Sequence, residues 1–133
     1  IVAFVCNWCS YTAADLAGTA RMIQSPNVRL IRMMCTGMVD PKYVIKALLG
    51  GADAVLISGC HPGDCHYING NYKARRRVKL LQEILPRFGF DRRRLKLTWI
   101  GASEGGEFAD TVNKLVAEIR ELGPSEARAM TAV

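Results

Sequence analysis

The chain has 133 residues, half of them hydrophobic, which fits one domain with a core that needs no disulfides. It carries a formal net charge of +6 and 5 cysteines. Its longest apolar runs fall well short of the ~18 residues of a membrane span, and the opening apolar stretch does not resemble a secretory signal, so neither disorder, a transmembrane class nor secretion is expected, and a cytoplasmic location is.

Strands and helices alternate along the sequence. Ile1 to Cys6 is a short apolar run rich in β-formers, a buried strand. Because Ile1 already reads as strand, a few residues are expected ahead of it. Tyr11 to Gln24 has helical period, with Leu16, Ala20 and Ile23 on one face, and Ser25-Pro26-Asn27 ends it. Val28 to Met34 is the second strand. Asp40 and Pro41 are an N-cap and first helical residue, and that helix runs to Leu49 and stops at Gly50-Gly51. Ala54 to Ser58 is the third strand, followed by a glycine- and cysteine-rich loop to about Asn71. Tyr72 to Phe88 is a basic amphipathic helix with Val78, Leu81, Ile84 and Leu85 inward. Leu95 to Ile100 is the fourth strand. Glu107 to Leu122 is the last helix, ended by Gly123-Pro124, and the segment 125–133 is expected to be a flexible or partner-bound tail. Strands separated by helices imply a parallel sheet: a small doubly wound α/β domain over 1–124, flavodoxin-like, with about four strands.

Cys6 and Cys9 follow the first strand, Cys35 the second, Cys60 and Cys65 the third. In an open parallel sheet the carboxyl ends of the strands share one edge, where ligands bind. Three separate regions therefore deliver five sulfurs to one place. In a reducing compartment such sulfurs serve metals or redox chemistry. The spacings are C-x-x-C, a lone cysteine and C-x4-C, which lacks the paired knuckles of a zinc ribbon and suits an iron–sulfur cluster on four of the five. Gly37, Gly59 and Gly63 would let the backbone approach the sulfides closely. His61 and His66 each follow a cysteine, but not with Rieske spacing. They read as hydrogen-bond donors around the site or as solvent-facing residues. Trp8, Tyr11 and Tyr67 either shield the site or cap the edge of the core. No glycine-rich phosphate loop follows the first strand, so neither a flavin nor a nucleotide site is supported. Two other readings stay open: a dithiol–disulfide oxidoreductase on Cys6 and Cys9, and a zinc-stabilised binding module. The triplets Arg75-Arg76-Arg77 and Arg92-Arg93-Arg94 are either solvated surface or a docking face for an acidic partner, with Arg75 to Arg77 expected to serve docking rather than fold; no nucleic-acid motif accompanies them.

The segments Phe4 to Tyr11, Met34 to Pro41, Gly51-Ala52-Asp53, Gly59 to Tyr67, Asn69 to Arg77 and Trp99 to Gly106 resemble the delta subunit of methyl-viologen-reducing hydrogenase, and the likeness runs nearly to Pro124. The resemblance implies a [2Fe-2S] cluster, with Cys6, Cys9, Cys35, Cys60 and Cys65 matching the family's cysteine positions. It implies an electron-transfer subunit without turnover of its own, in a hetero-oligomer of methanogenic archaea. The implied donor is a hydrogenase small subunit or a formate dehydrogenase. The implied acceptor is the flavin-bearing subunit of heterodisulfide reductase, in an assembly that bifurcates electrons. Neither nucleic acid nor membrane is an expected partner.

Overall fold

The structure is a computed structural model, and it describes residues 1–125. Its elements in chain order are β1 (Val2–Cys6), α1 (Ser10–Thr19), β2 (Arg29–Met33), α2 (Pro41–Leu49), β3 (Val55–Gly59), α3 (Gly70–Ile84), β4 (Leu95–Trp99) and α4 (Gly105–Leu122). Short 3-10 turns cover Thr36–Met38, Leu85–Phe88 and Arg92–Arg94. The four strands form one parallel sheet in the order β2-β1-β3-β4, the flavodoxin-like α/β arrangement the alternation predicts. Val2 to Cys6 pair with Arg29 to Met33 on one side, and Val2 to Val5 with Val55 to Ser58 on the other. The path steps from β1 outward to β2 and then back across to β3. The point where strand order reverses therefore lies between β1 and β3.

Alternation along β1 builds two cores. Ala3 and Val5 face Ala13, Ala17, Phe108, Val112 and Leu115 of α1 and α4. Phe4 faces Val44, Leu48, Val78 and Leu81 of α2 and α3. Both faces of the central strands are buried, which explains why β1 and β3 read as unbroken apolar runs.

Helix α1 differs from its sequence reading. It stops at Thr19, where Arg21 takes a left-handed backbone (φ 55°) and its N–H closes on the Gly18 carbonyl at 3.1 Å. Ile23 is left 90% exposed, and Leu16 and Ala20 are exposed too. The inward face is the small-residue face, Ser10, Ala13 and Ala17. A Cβ at Gly105 would stand 3.1 Å from the backbone nitrogen of Ala17, so α1 and α4 meet almost backbone to backbone. Small residues permit that approach: the half-exposed Leu16 lies against Gly105, which has no side chain to displace it.

The arginine triplets also divide. Arg94 is buried and donates to the carbonyls of Asp53, Gly123 and Pro124 at 2.9–3.1 Å. Arg77 donates to the carbonyls of Gly37 and Val39, so it ties α3 to the turn after β2 and serves the fold, against the expectation for all three; Arg75 and Arg76 are exposed. Ser125 is buried, with its N–H on the Asp53 carboxylate at 3.0 Å. The rest of the predicted tail, 126–133, lies outside the described residues. No helix among the described residues is long and apolar enough to cross a membrane.

Candidate metal centre

The loops at the carboxyl ends of β1, β2 and β3 bring all five cysteines to the edge the sequence pointed to. Cys6 is the last residue of β1, and Cys60 directly follows β3, so this pair stands astride the reversal of strand order. Their sulfurs are 3.5 Å apart. Cys35, at the start of the turn after β2, has its Sγ 3.7 Å from Cys65 Sγ. These four cysteines line one narrow cleft together with Trp8, Met34, Thr36, His66 and Tyr67. Cys9 is not among the lining residues. It sits behind the first pair, where Cys6, Cys9 and Cys60 offer sulfurs within 4.8 Å of one another. None of the five is disulfide-bonded; Cys6, Cys35 and Cys60 are buried and Cys9 and Cys65 half-buried.

Sulfur–sulfur hydrogen bonds, burial and backbone amides together set the electrostatics. The Cys9 N–H approaches Cys6 Sγ at 3.4 Å, and the Gly37 N–H approaches Cys35 Sγ at 3.4 Å. Cys6 is drawn down to about 5, first by its hydrogen bond with Cys60 and then, against burial, by the amides of Ser10, Cys9 and Trp8 at the start of α1. Its partner Cys60 is pushed up by the same shared hydrogen bond and by burial. Burial alone would raise Cys65, but the amides of Tyr67, Asn71 and Gly70 at the start of α3, with the Cys35 thiol, outweigh it and lower the group. Cys35 is raised, chiefly by burial. Each pair thus couples one sulfur shifted toward ionisation with one shifted away from it. Two helix N-termini supply the partial positive charge that favours anionic sulfur. Cys9 is raised, chiefly by burial.

The glycine reading is partly redirected. Gly37 lies against Gly70, where a Cβ would come within 2.9 Å of the Gly70 Cα, and Gly59 lies against Thr36. Gly63 has open space around it and instead takes a left-handed backbone at φ 91°. The closest approach to sulfur belongs to Gly70, which sequence reasoning missed. A Cβ there would fall onto Cys35 Sγ and stand 3.3 Å from Cys65 Sγ. Asn71 was missed as well. It is buried, and its Nδ2 donates to the carbonyls of Cys60 at 3.1 Å and His61 at 3.0 Å, while its Oδ1 has no hydrogen-bond partner among the described residues. The only sequence signal for either was position at the start of a helix beside a cysteine loop.

His61 is held by Glu104, whose carboxylate also accepts the Gly101 N–H at 2.7 Å, and this pairing keeps Glu104 below its ordinary range. His66 stacks on Trp8 with ring centres 3.9 Å apart, and Tyr67 OH accepts from Trp8 Nε1 at 3.3 Å. The two histidines are therefore engaged beside the sulfurs, and Trp8, His66 and Tyr67 roof the cleft. Tyr11 is elsewhere, under the Arg32 guanidinium. A cleft of about 630 Å³ opens at the opposite edge of the sheet around Ile1, Asn27, Asp53 and Arg120, and no cysteine lines it. The chemistry follows the sulfurs rather than the larger cavity.

Residues 1–123 match the family described as methyl-viologen-reducing hydrogenase, delta subunit. The iron-sulfur subunit of the F420-non-reducing hydrogenase of Archaeoglobus profundus is 49% identical over 124 residues, covering 93% of this chain and 90% of that protein. The corresponding iron-sulfur subunit of Methanocaldococcus jannaschii is 40% identical over 129 residues, covering 97% and 96%. A subunit of the ferredoxin/F(420)H(2)-dependent CoB-CoM heterodisulfide reductase of Methanosarcina acetivorans is 49% identical over 124 residues, but the chain spans only 16% of its length. The same stretch thus occurs both as nearly a whole subunit and as a small part of a longer one.

Proposed function

Starting from a chain that belongs to the methyl-viologen-reducing hydrogenase delta-subunit family, we propose an electron-transfer subunit with a [2Fe-2S] cluster on Cys6, Cys60, Cys35 and Cys65. The observation that carries this reading is the pairing of the sulfurs. Two thiolates ~2.3 Å from one tetrahedral metal stand ~3.8 Å apart. The two sulfur pairs, at 3.5 and 3.7 Å in one cleft, suit two metals with two protein ligands each. When bound, such a cluster supplies a one-electron carrier. The chain's own part is to hold it, to steady its negative charge with the amides at the starts of α1 and α3, and to keep water off it with Trp8, His66 and Tyr67.

The relatives' names support partners among the subunits of hydrogenase and heterodisulfide reductase complexes. We assign a hydrogenase small subunit or a formate dehydrogenase as donor and the flavin-bearing subunit of heterodisulfide reductase as acceptor. The occurrence of this stretch inside a longer heterodisulfide reductase polypeptide supports contact with that polypeptide where the two are separate chains. The loop from Cys60 to Cys65, with Pro62 exposed, and the neighbouring Tyr67 at 47% exposure form the surface for one of them. Anaerobically purified protein should be coloured and contain about two iron and two sulfide per chain, as this cluster type requires. Removing the subunit from a reconstituted complex should stop electron flow from hydrogen or formate to the heterodisulfide, while each partner still reduces artificial dyes. Flow without it would defeat the relay role.

A zinc site is the second reading, because Cys6, Cys9 and Cys60 already form a three-sulfur group. It leaves Cys35 and Cys65 unused, and colourless protein with zinc alone would establish it. A dithiol mechanism on Cys6 and Cys9 fares worse. Cys6, the sulfur shifted toward ionisation, is 2% exposed, and its strongest interaction is with Cys60 at 3.5 Å.

A further inference from the structure

We propose that β2 is an open docking edge that takes an extended, acidic and apolar segment of a partner protein as a fifth strand. The proposal rests on the relay reading only in taking the chain to work inside a complex. The ladder leaves β2 half unused. Arg29 N–H bonds the Ile1 carbonyl at 2.8 Å and Met33 carbonyl accepts the Asn7 N–H at 2.7 Å. In a parallel ladder the residues alternate, so Arg29, Ile31 and Met33 face β1, while Leu30 and Arg32 turn their N–H and C=O groups outward.

Natural sheets blunt such an edge with proline, a bulge, charged side chains (lysine above all) or a covering segment, and within the strand itself β2 carries only the charges of Arg29 and Arg32. Here Arg29, Leu30, Ile31 and Arg32 are all exposed, with neither proline nor bulge. Leu30 (41% exposed) lies on the α1 side beside a groove of about 350 Å³ that includes Tyr11, Ala14 and Asp15. Ile31 (43% exposed) lies on the other face, in register with Phe4, whose ring stacks on exposed Tyr43. An added strand would therefore find apolar contacts on both faces as well as backbone partners, the combination used in β-strand addition.

Charge selects the occupant. A second copy would set two Arg29–Arg32 pairs on one ribbon and join two chains of net charge +6 each. An acidic partner segment would instead meet Arg29 and Arg32 favourably. The edge also leads directly into the metal centre: Met34, 51% exposed, and Cys35 follow β2 without a break. A strand seated there would bring its protein alongside the cleft.

The test is amide hydrogen exchange of the chain alone and in its purified native complex. Leu30 and Arg32 amides should exchange freely in the isolated chain and at least 100-fold more slowly in the complex. Leu30→Pro removes one outward N–H and spares every bond to β1, so the isolated variant should keep its circular dichroism and iron yet assemble at least tenfold more weakly. Charge reversal by Arg29→Glu with Arg32→Glu should do the same without touching the backbone. A complex in which these amides stay unprotected, or one that both variants join normally, overturns the proposal. So does a concentration-dependent dimer of the isolated chain that protects them. A complex that protects β2 yet passes no electrons would sink the relay and leave this interface standing.

Discussion

Gly70 shows how tightly single residues are constrained around the sulfurs. Because an added methyl would occupy the place of Cys35 Sγ, Gly70→Ala must push that sulfur or the start of α3 aside. Overpacking of this kind costs about 1–3 kcal/mol. The variant should keep its far-ultraviolet circular dichroism but bind less than half the iron of the parent, by iron analysis after anaerobic reconstitution. The cysteines themselves should sort by place. Cys9→Ser is expected to retain visible absorption and iron, because Cys9 does not line the cleft, whereas serine at position 6, 35, 60 or 65 should abolish both. Retention of the cluster in any of those four would break the assignment. The sequence made all five cysteines conspicuous through their places after strands. It could not rank them, because ranking depends on which sulfurs face one another across loops 54 and 30 residues apart. Gly70 and Asn71 stayed hidden for a related reason: a residue at a helix start looks like a helix start, whatever sulfur it faces.

Among the elements, α3 carries the test of the arginine triplet. Arg77→Gln should lower stability in urea by about 1.5–3 kcal/mol, the range for hydrogen bonds from a charged donor, since two carbonyls near Cys35 lose their partner. Arg75→Gln with Arg76→Gln should leave stability within about 0.5 kcal/mol, and any effect should fall on assembly and its salt dependence. The turn before β4 provides a pH test. Asp91 caps it through the Arg93 N–H at 2.8 Å and pairs with the Arg93 guanidinium, whose hydrogen bonds hold its carboxyl down at about 2. A lowered native value favours the folded chain above the unfolded value of ~3.9 and loses that contribution as pH falls from about 4 toward 2. Carbon-detected NMR should place the Asp91 midpoint near 2, and Arg93→Gln should return it toward 4. The pair is exposed, so the stability effect should be small and fade with salt. Caps and stops such as Asp40-Pro41 were legible because local chemistry decides them. The buried face of α1 was not, because the close approach of α4 selects alanines over larger side chains.

Across the whole molecule, a metal centre that joins the ends of three strands should stabilise the native state, since the unfolded chain holds no such site. Stripping metal with a chelator should lower the melting temperature by several degrees while the far-ultraviolet spectrum persists at 25 °C, because both cores are complete without it. Unfolding of the stripped chain at 25 °C would show that the cores are insufficient. The parallel sheet was legible from alternation alone, since helical crossovers leave few alternatives. The openness of β2 was not, because strand order decides which strand lies at the rim, and the sequence of an edge strand with Leu30 and Ile31 resembles that of an interior one. There is also a consequence for how the molecule is made. Every sulfur lies within the first 65 residues, yet the helix whose opening amides steady Cys6 rests on α4, the last of the described elements to be synthesised. Until Phe108 and Val112 dock against Ala13 and Ala17, the first half of the chain carries its thiols without the frame that orients them. Maturation of the protein should therefore run in one order, with α4 synthesised and docked first and metal loaded afterwards.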